Sequence, residues 1–136
     1  MSVALPAAFA ASHAGGAKIS LESTKQFGKI LDDSRGWTIY AFSKDSRNKD
    51  TCQNSSVCNS LWPPVVTKGT PVAGAGVKQS LLATIKLKSG KLQVTYNGHP
   101  LYTYSADGGP HQTFYVNKSQ AGGKWPALNA AGAEVK

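Results

Sequence analysis

Acidic side chains are scarce in this chain. Its 136 residues hold seven Asp and Glu against fifteen Lys and Arg, for a net charge of +8. So few carboxylates, so scattered, nominate no acid–base pair of the glycosidase kind. Arginine is scarcer still: only Arg35 and Arg47 interrupt a set of lysines. Arginine is the side chain suited to bidentate phosphate and base contacts. With no recognition motif beside the charge, specific nucleic-acid binding is not expected. No apolar run is long enough to form a transmembrane helix. The signatures G-x-S-x-G, S-x-x-K and H-E-x-x-H are missing, as is a phosphate loop. No enzyme activity is therefore expected. Cysteine is limited to Cys52 and Cys58.

What is present is a repeat. Gly36-Trp37-Thr38-Ile39-Tyr40-Ala41-Phe42-Ser43-Lys44-Asp45 lies over Gly98-His99-Pro100-Leu101-Tyr102-Thr103-Tyr104-Ser105-Ala106-Asp107 at an offset of 62. Both read Gly-x-x-(Ile/Leu)-Tyr-x-aromatic-Ser-x-Asp. Gly28-Lys29-Ile30 lies over Gly90-Lys91-Leu92 at the same offset, and Trp62-Pro63 lies over Trp125-Pro126 at 63. Chance turn residues do not hold nearly one offset across such landmarks. Each half, at about 60 residues, would bury little apolar surface alone. The halves are expected to share one core, spanning about residues 18–69 and 77–136 of a single domain at 18–136.

The fold expected is all-β. Ile19 to Thr24 opens with the apolar/polar alternation of a half-buried strand. Phe27-Gly28 turns it into Lys29 to Leu31. Asp32 to Gly36 is turn chemistry, and Trp37 to Phe42 is the return strand. In the second half, Ser80 to Leu87 and Leu92 to Tyr96 are strands. Asn97-Gly98 is the strongest hairpin signal, because a type I′ turn needs positive φ at both central residues. His99 to Tyr104 returns, and Thr113 to Val116 is a further strand. Ser55 to Leu61 reads as a short helix stopped by Trp62-Pro63-Pro64. Residues 70–76 read as a flexible linker. The sum is two pseudo-repeats of short antiparallel strands forming one small sandwich or barrel, with a short helix near the cysteines.

The N-terminal stretch, residues 1–17, is apolar and mostly small from Val3 to Ala11. Ala8-Phe9-Ala10 has the form of a signal-peptidase site. It reads as an export-signal remnant or a disordered arm. The cysteines agree with an exported location. An even, local pair in a small domain reads as a disulfide. Zinc would need about four ligands, and the gap is not C-x-x-C. Closing so short a loop contributes about 2–3 kcal/mol.

Tyr40 and Phe42, like Tyr102 and Tyr104, are two apart and share a strand face. Asp45 and Asp107, five residues after each first tyrosine, can accept backbone N–H bonds in a turn or take a tyrosine hydroxyl. An acid–base reading of these pairs competes with a structural one. Duplication favours structure, since a catalytic site is rarely needed twice. Trp62 and Trp125 read as buried locks at the end of each half; exposed, they would be sugar-stacking platforms. His99 and His111 flank the second motif and could serve copper or haem. Trp37 occupies the place of His99 in the first half, so a symmetric site is excluded. No cofactor is the main expectation.

These residues resemble the secreted repeat proteins and lipoproteins that carry a Tyr-x4-Asp motif. Tyr40 to Asp45 and Tyr102 to Asp107 match that motif. The Cys52…Cys58…Leu61-Trp62-Pro63-Pro64 segment and the Gln93 to Tyr102 hairpin are similar too, so the likeness covers roughly residues 18–132. It implies a bacterial or archaeal exported protein, often lipid-anchored, with no assigned activity. The chain departs from it in lacking a cysteine near its start. It also runs Gly108-Gly109-Pro110-His111-Gln112 where a more Gly-rich, Asp-containing loop is expected. The function expected is non-enzymatic binding to an anionic surface polymer, a glycan or a partner protein. A metal-binding or electron-transfer accessory using His99 and His111 is the alternative.

Overall fold

A computed structural model describes residues 16–136. Most of the N-terminal stretch, including His13, lies outside the described residues. Two hairpins carry the repeat. β1 (Lys18–Thr24) and β2 (Gly28–Asp33) pair antiparallel from Ile19–Asp33 to Thr24–Gly28. β5 (Leu82–Lys86) and β6 (Leu92–Tyr96) pair antiparallel from Leu82–Tyr96 to Lys86–Leu92. Between them lie the helix α1 (Ser56–Leu61), β3 (Val66–Thr67) and β4 (Val72–Ala73). β7 (His99–Pro100) follows, then the hairpin of β8 (Ser119–Gln120) and β9 (Gly123–Lys124). The sheets run β2-β1-β4 and β3-β6-β5, with β7 also on β6, and neither closes into a barrel.

Local chemistry sets several of these boundaries. Asn97 and Gly98 have φ of 50° and 81°, so the two-residue turn forms and places Tyr96 opposite His99. Ser55 caps α1 by accepting from the Cys58 N–H. Cys52 and Cys58 are joined as a disulfide across the start of that helix, their Cα atoms 5.3 Å apart.

Three segments differ from the sequence reading. Residues 70–76 are no linker: Val72 and Ala73 form β4, which pairs parallel with β1. A Pro- and Gly-rich composition hid two residues that the β1 edge recruits. Thr113 to Val116 is a run of turns in place of a strand; Val116 N–H bonds to Thr113 O, so its backbone is satisfied locally. The return segments build no ladder of the length their pattern suggests: residues 37–42 form only isolated bridges, at Thr38 and Tyr40, and residues 99–104 keep β7 and a bridge at Tyr102. The N–H groups of Ile39, Tyr40 and Ala41 go in turn to Leu31, Tyr102 and Pro126, so no single neighbour builds a ladder.

That branching pairing weaves the halves together. Ala41 donates to Pro126 O and Ser43 to Lys124 O; in the mirror arrangement Thr103 donates to Pro63 O and Ser105 to Leu61 O. Leu31 donates to Leu128 O as Val94 donates to Val65 O. At the centre, Tyr40 and Tyr102 exchange both backbone bonds, at 2.8 and 2.9 Å. Each motif segment thus lies against the Trp-Pro segment of the other repeat, around a pseudo-two-fold axis between Tyr40 and Tyr102. Neither half has its backbone satisfied without the other.

Candidate functional site

The repeated motif residues converge on that axis. Trp62 and Trp125, both fully buried, stack with ring centres 3.9 Å apart and planes 3° apart. Phe42 stacks on the far face of Trp125 and Tyr104 on the far face of Trp62, each at 4.0 Å. Tyr40 meets Trp62 edge-on at 5.0 Å, and Tyr102 meets Trp125 the same way at 5.1 Å. Both indole N–H groups end on Gln120, one on its side chain and one on its carbonyl. Nothing in the sequence marks Gln120, because its role depends on where the β8–β9 hairpin folds back. Stacked and edge-on pairs of this kind add to simple area burial.

The tyrosine hydroxyls cross between repeats. Tyr40 Oη donates to Asp107 Oδ2 at 2.9 Å, and Tyr102 Oη donates to Asp45 Oδ2 at 2.6 Å. The five-residue spacing suggested a contact within one repeat; the exchange of partners follows from the two-fold weave. The two copies are not equivalent. Asp45 Oδ1 also accepts from the Thr51 N–H and hydroxyl, both at 2.8 Å, whereas Asp107 Oδ1 is buried with no partner among the described residues.

Burial dominates the electrostatics here. It pushes the Asp107 carboxyl up to about 6, against the opposing pull of the Tyr40 hydroxyl bond. Burial raises Asp45 as well, and pushes both Tyr40 and Tyr102 far above the ordinary phenol range. Neither tyrosine ionises at neutral pH. A carboxyl whose folded-state pKa is raised holds its proton more tightly in the native chain than in the unfolded one. Its contribution to stability is complete below about 4 and is lost as pH rises through about 6. The urea midpoint is accordingly expected to rise when pH is lowered from about 7.5 to about 5. Asp107→Asn, whose amide oxygen still accepts from Tyr40, should lessen that rise, the remainder coming from the other carboxyls that burial raises, Asp45 and Asp32. An unchanged profile in the variant would show that Asp107 is not one of the titrating groups.

The two histidines are placed differently. His99 pairs with Tyr96 on β7 and lines a small hollow with Asp45, Ser46 and Arg47. His111 sits on the loop after the second motif, its Nδ1 3.0 Å from Glu22 Oε1. His99 is not part of that group. Glu22, which the sequence did not single out, is buried on β1, although alternation put it on the polar face.

The surface is almost entirely of one sign. Every Lys and Arg is exposed, while Glu22, Asp32, Asp50 and Asp107 are buried, Asp33 and Asp45 are half-buried, and only Glu134 is exposed. A cleft of about 750 Å³ is lined by Val66, Thr67, Lys68, Lys91 and Leu92 among others. A second hollow shares Val66 and Lys91 with it and adds Lys88. No carboxylate lines either one. Val66 is 44% exposed between them.

A twofold β weave, stapled by a disulfide and carrying its acids inward, defines a small repeat module. The sequence signature of a family described as a secreted repeat of unknown function matches residues 23–66 and 83–129, one match per half. The chain belongs to this family of secreted repeats and is an exported protein. No curated protein and no solved structure matched it. No helix among the described residues is long and apolar enough to cross a membrane.

Proposed function

We propose that this is a non-enzymatic protein of a bacterial or archaeal envelope that binds an anionic surface polymer. The observation that carries the reading is the sorting of charge: all fifteen basic side chains are exposed and one acidic side chain is. A field of one sign attracts polyanions without needing a stereospecific pocket. The adjoining clefts with Lys68, Lys88 and Lys91 around Val66 offer the place where cationic side chains and an apolar surface meet. Such a surface suits an anionic glycan or polyol phosphate, whose backbone presents C–H groups between its charges.

The motif tyrosines and aspartates support the non-enzymatic part. Tyr40 and Tyr102 have no exposed surface, and each hydroxyl is held by a carboxylate of the opposite repeat. A general acid must reach the proton that it transfers, and these cannot meet a substrate without opening the core.

The test is retention on a polyphosphate or sulfated-glycan matrix. Binding is expected at about 50 mM salt and should be lost by about 500 mM, because ions screen exposed charge. Replacing Lys68, Lys88 and Lys91 together by Glu should weaken binding at least about tenfold. A control triple change at Lys25, Lys29 and Lys118 should weaken it less. Equal losses would show that the clefts play no special part. Failure of the unmodified protein to bind either matrix would remove the reading.

A further inference from the structure

The repeat provides its own control for locating a site: positions that are equivalent in fold but different in chemistry. His111 and Asn48 are such a pair, 63 residues apart. Both are non-glycine residues at positive φ, 61° and 59°. The His111 N–H bonds to Gly36 O at 2.9 Å, and the Asn48 N–H bonds to Gly98 O at 2.8 Å. Each loop thus reaches across to the first glycine of the opposite motif. Beneath His111 lie Glu22 and Asp32; strand register puts Ile85 and Thr95 at the equivalent places in the other half. The backbone frame is kept, and an apolar and neutral set on one side is replaced by two carboxylates and an imidazole on the other.

We propose that Glu22, Asp32 and His111 form a binding site for a divalent first-row transition cation. One ligand atom from each lies within 4.8 Å of the other two. Ligands held at about 2.1 Å around a tetrahedral ion stand about 3.4 Å apart. The Nδ1–Oε1 separation of 3.0 Å is close to that spacing. Asp32 is 6% exposed, and its Oδ1 is buried with no hydrogen-bond partner among the described residues. A buried, unpaired carboxylate oxygen is costly unless a cation or a proton meets it.

The supporting shell is built as well. Glu22 Oε2 is 2.9 Å from the Thr38 hydroxyl, which is itself 2.7 Å from Gln112 O. The Thr38 hydroxyl, whose single proton serves one acceptor at a time, thus stands between the carboxylate and the loop that carries His111. His111 is mostly exposed, so an ion has an open approach and room for water. Two carboxylates with one imidazole suit Zn²⁺ or Cu²⁺ above Mg²⁺ or Ca²⁺, since imidazole discriminates against the hard ions. The site uses none of the lysine clefts and goes beyond polymer binding.

The experiment is calorimetric titration of the full chain, disulfide intact, with ZnCl₂ alone at about pH 7. One-to-one binding is expected. His111→Asn keeps a residue that tolerates positive φ, so its fold should be preserved; it should weaken Zn²⁺ binding at least about tenfold. His99→Asn and His13→Asn should leave the affinity within about twofold. Glu22→Gln, similar in shape, should act like His111→Asn. No binding by the unmodified chain would overturn the proposal. So would binding that survives His111→Asn, or that is lost as readily with His99→Asn or His13→Asn.

Discussion

Replacing Trp125 by Ala is expected to cost about 4 kcal/mol of stability, the upper part of the range for large aromatic truncations in a core. Trp125 is buried completely, with Trp62 stacked on one face, Phe42 on the other and Tyr102 against its edge. The deletion removes the middle of a four-ring stack. It also frees Gln120 O, which accepts the indole N–H. Domains of this size are stable by roughly 5–15 kcal/mol, so the variant should give up a large share of its stability. Trp62→Ala should lose a similar amount. The double variant should lose less than the sum, since the 3.9 Å stack is shared by both changes. Urea unfolding of the three variants checks this. Strict additivity would show that the two indoles do not act as one unit, and a loss below about 2 kcal/mol for Trp125→Ala would remove the stack from the centre of the core.

The second large effect separates two residues that the repeat makes look alike. Asp45→Ala should destabilise by about 3 kcal/mol. It removes the acceptor of the Tyr102 hydroxyl, the Thr51 N–H and the Thr51 hydroxyl together. Asp107→Ala should cost about half as much, because Asp107 accepts only from Tyr40 and already carries one unpaired oxygen. The exchange of partners can be tested in the same series. A double-mutant cycle of Tyr102→Phe with Asp45→Asn should show coupling of about 1 kcal/mol, while Tyr102→Phe with Asp107→Asn should show almost none. The reverse pattern would mean that each tyrosine bonds within its own repeat, and the woven topology would be wrong.

The two predictions bear on function through the same fact. The motif that defines the repeat is spent on joining its copies. Its aromatic and acidic groups face inward, so the chemistry available to a partner lies elsewhere, in the lysine-lined clefts and in the cluster under His111. A repeat motif is a sound guide to the core and a poor guide to the site. Where symmetry is kept, the residues answer to packing. Where it is broken, as at Glu22, Asp32 and His111 against Ile85, Thr95 and Asn48, packing alone did not dictate the choice.

By itself the sequence determined the tandem plan, the β class, the Asn97-Gly98 turn, the short helix ending at Leu61 and the Cys52–Cys58 bridge. These rest on short-range chemistry: alternation along a strand, φ > 0 at a turn, a Trp-Pro-Pro stop and a short loop closed by two thiols. Only the tertiary structure decided which repeat each motif would pair with, because a Tyr and an Asp five residues apart look like partners until the weave carries them to opposite sides. It also put a strand inside residues 70–76, since Val72 and Ala73 gain their ladder from Lys18 and Ile19, each 54 residues away. Glu22 and Asp32 were invisible as a pair, lying ten residues apart on two strands, and His111 joins them from 89 residues beyond Glu22. Burial did the rest. It took the carboxylates off the surface and left the lysines there, so a chain of net charge +8 presents an outside more uniformly positive than its composition. Solvation is part of the reason: each lysine can extend its ammonium into water, while Asp45, Asp50 and Asp107 each find at least one hydrogen-bond donor inside.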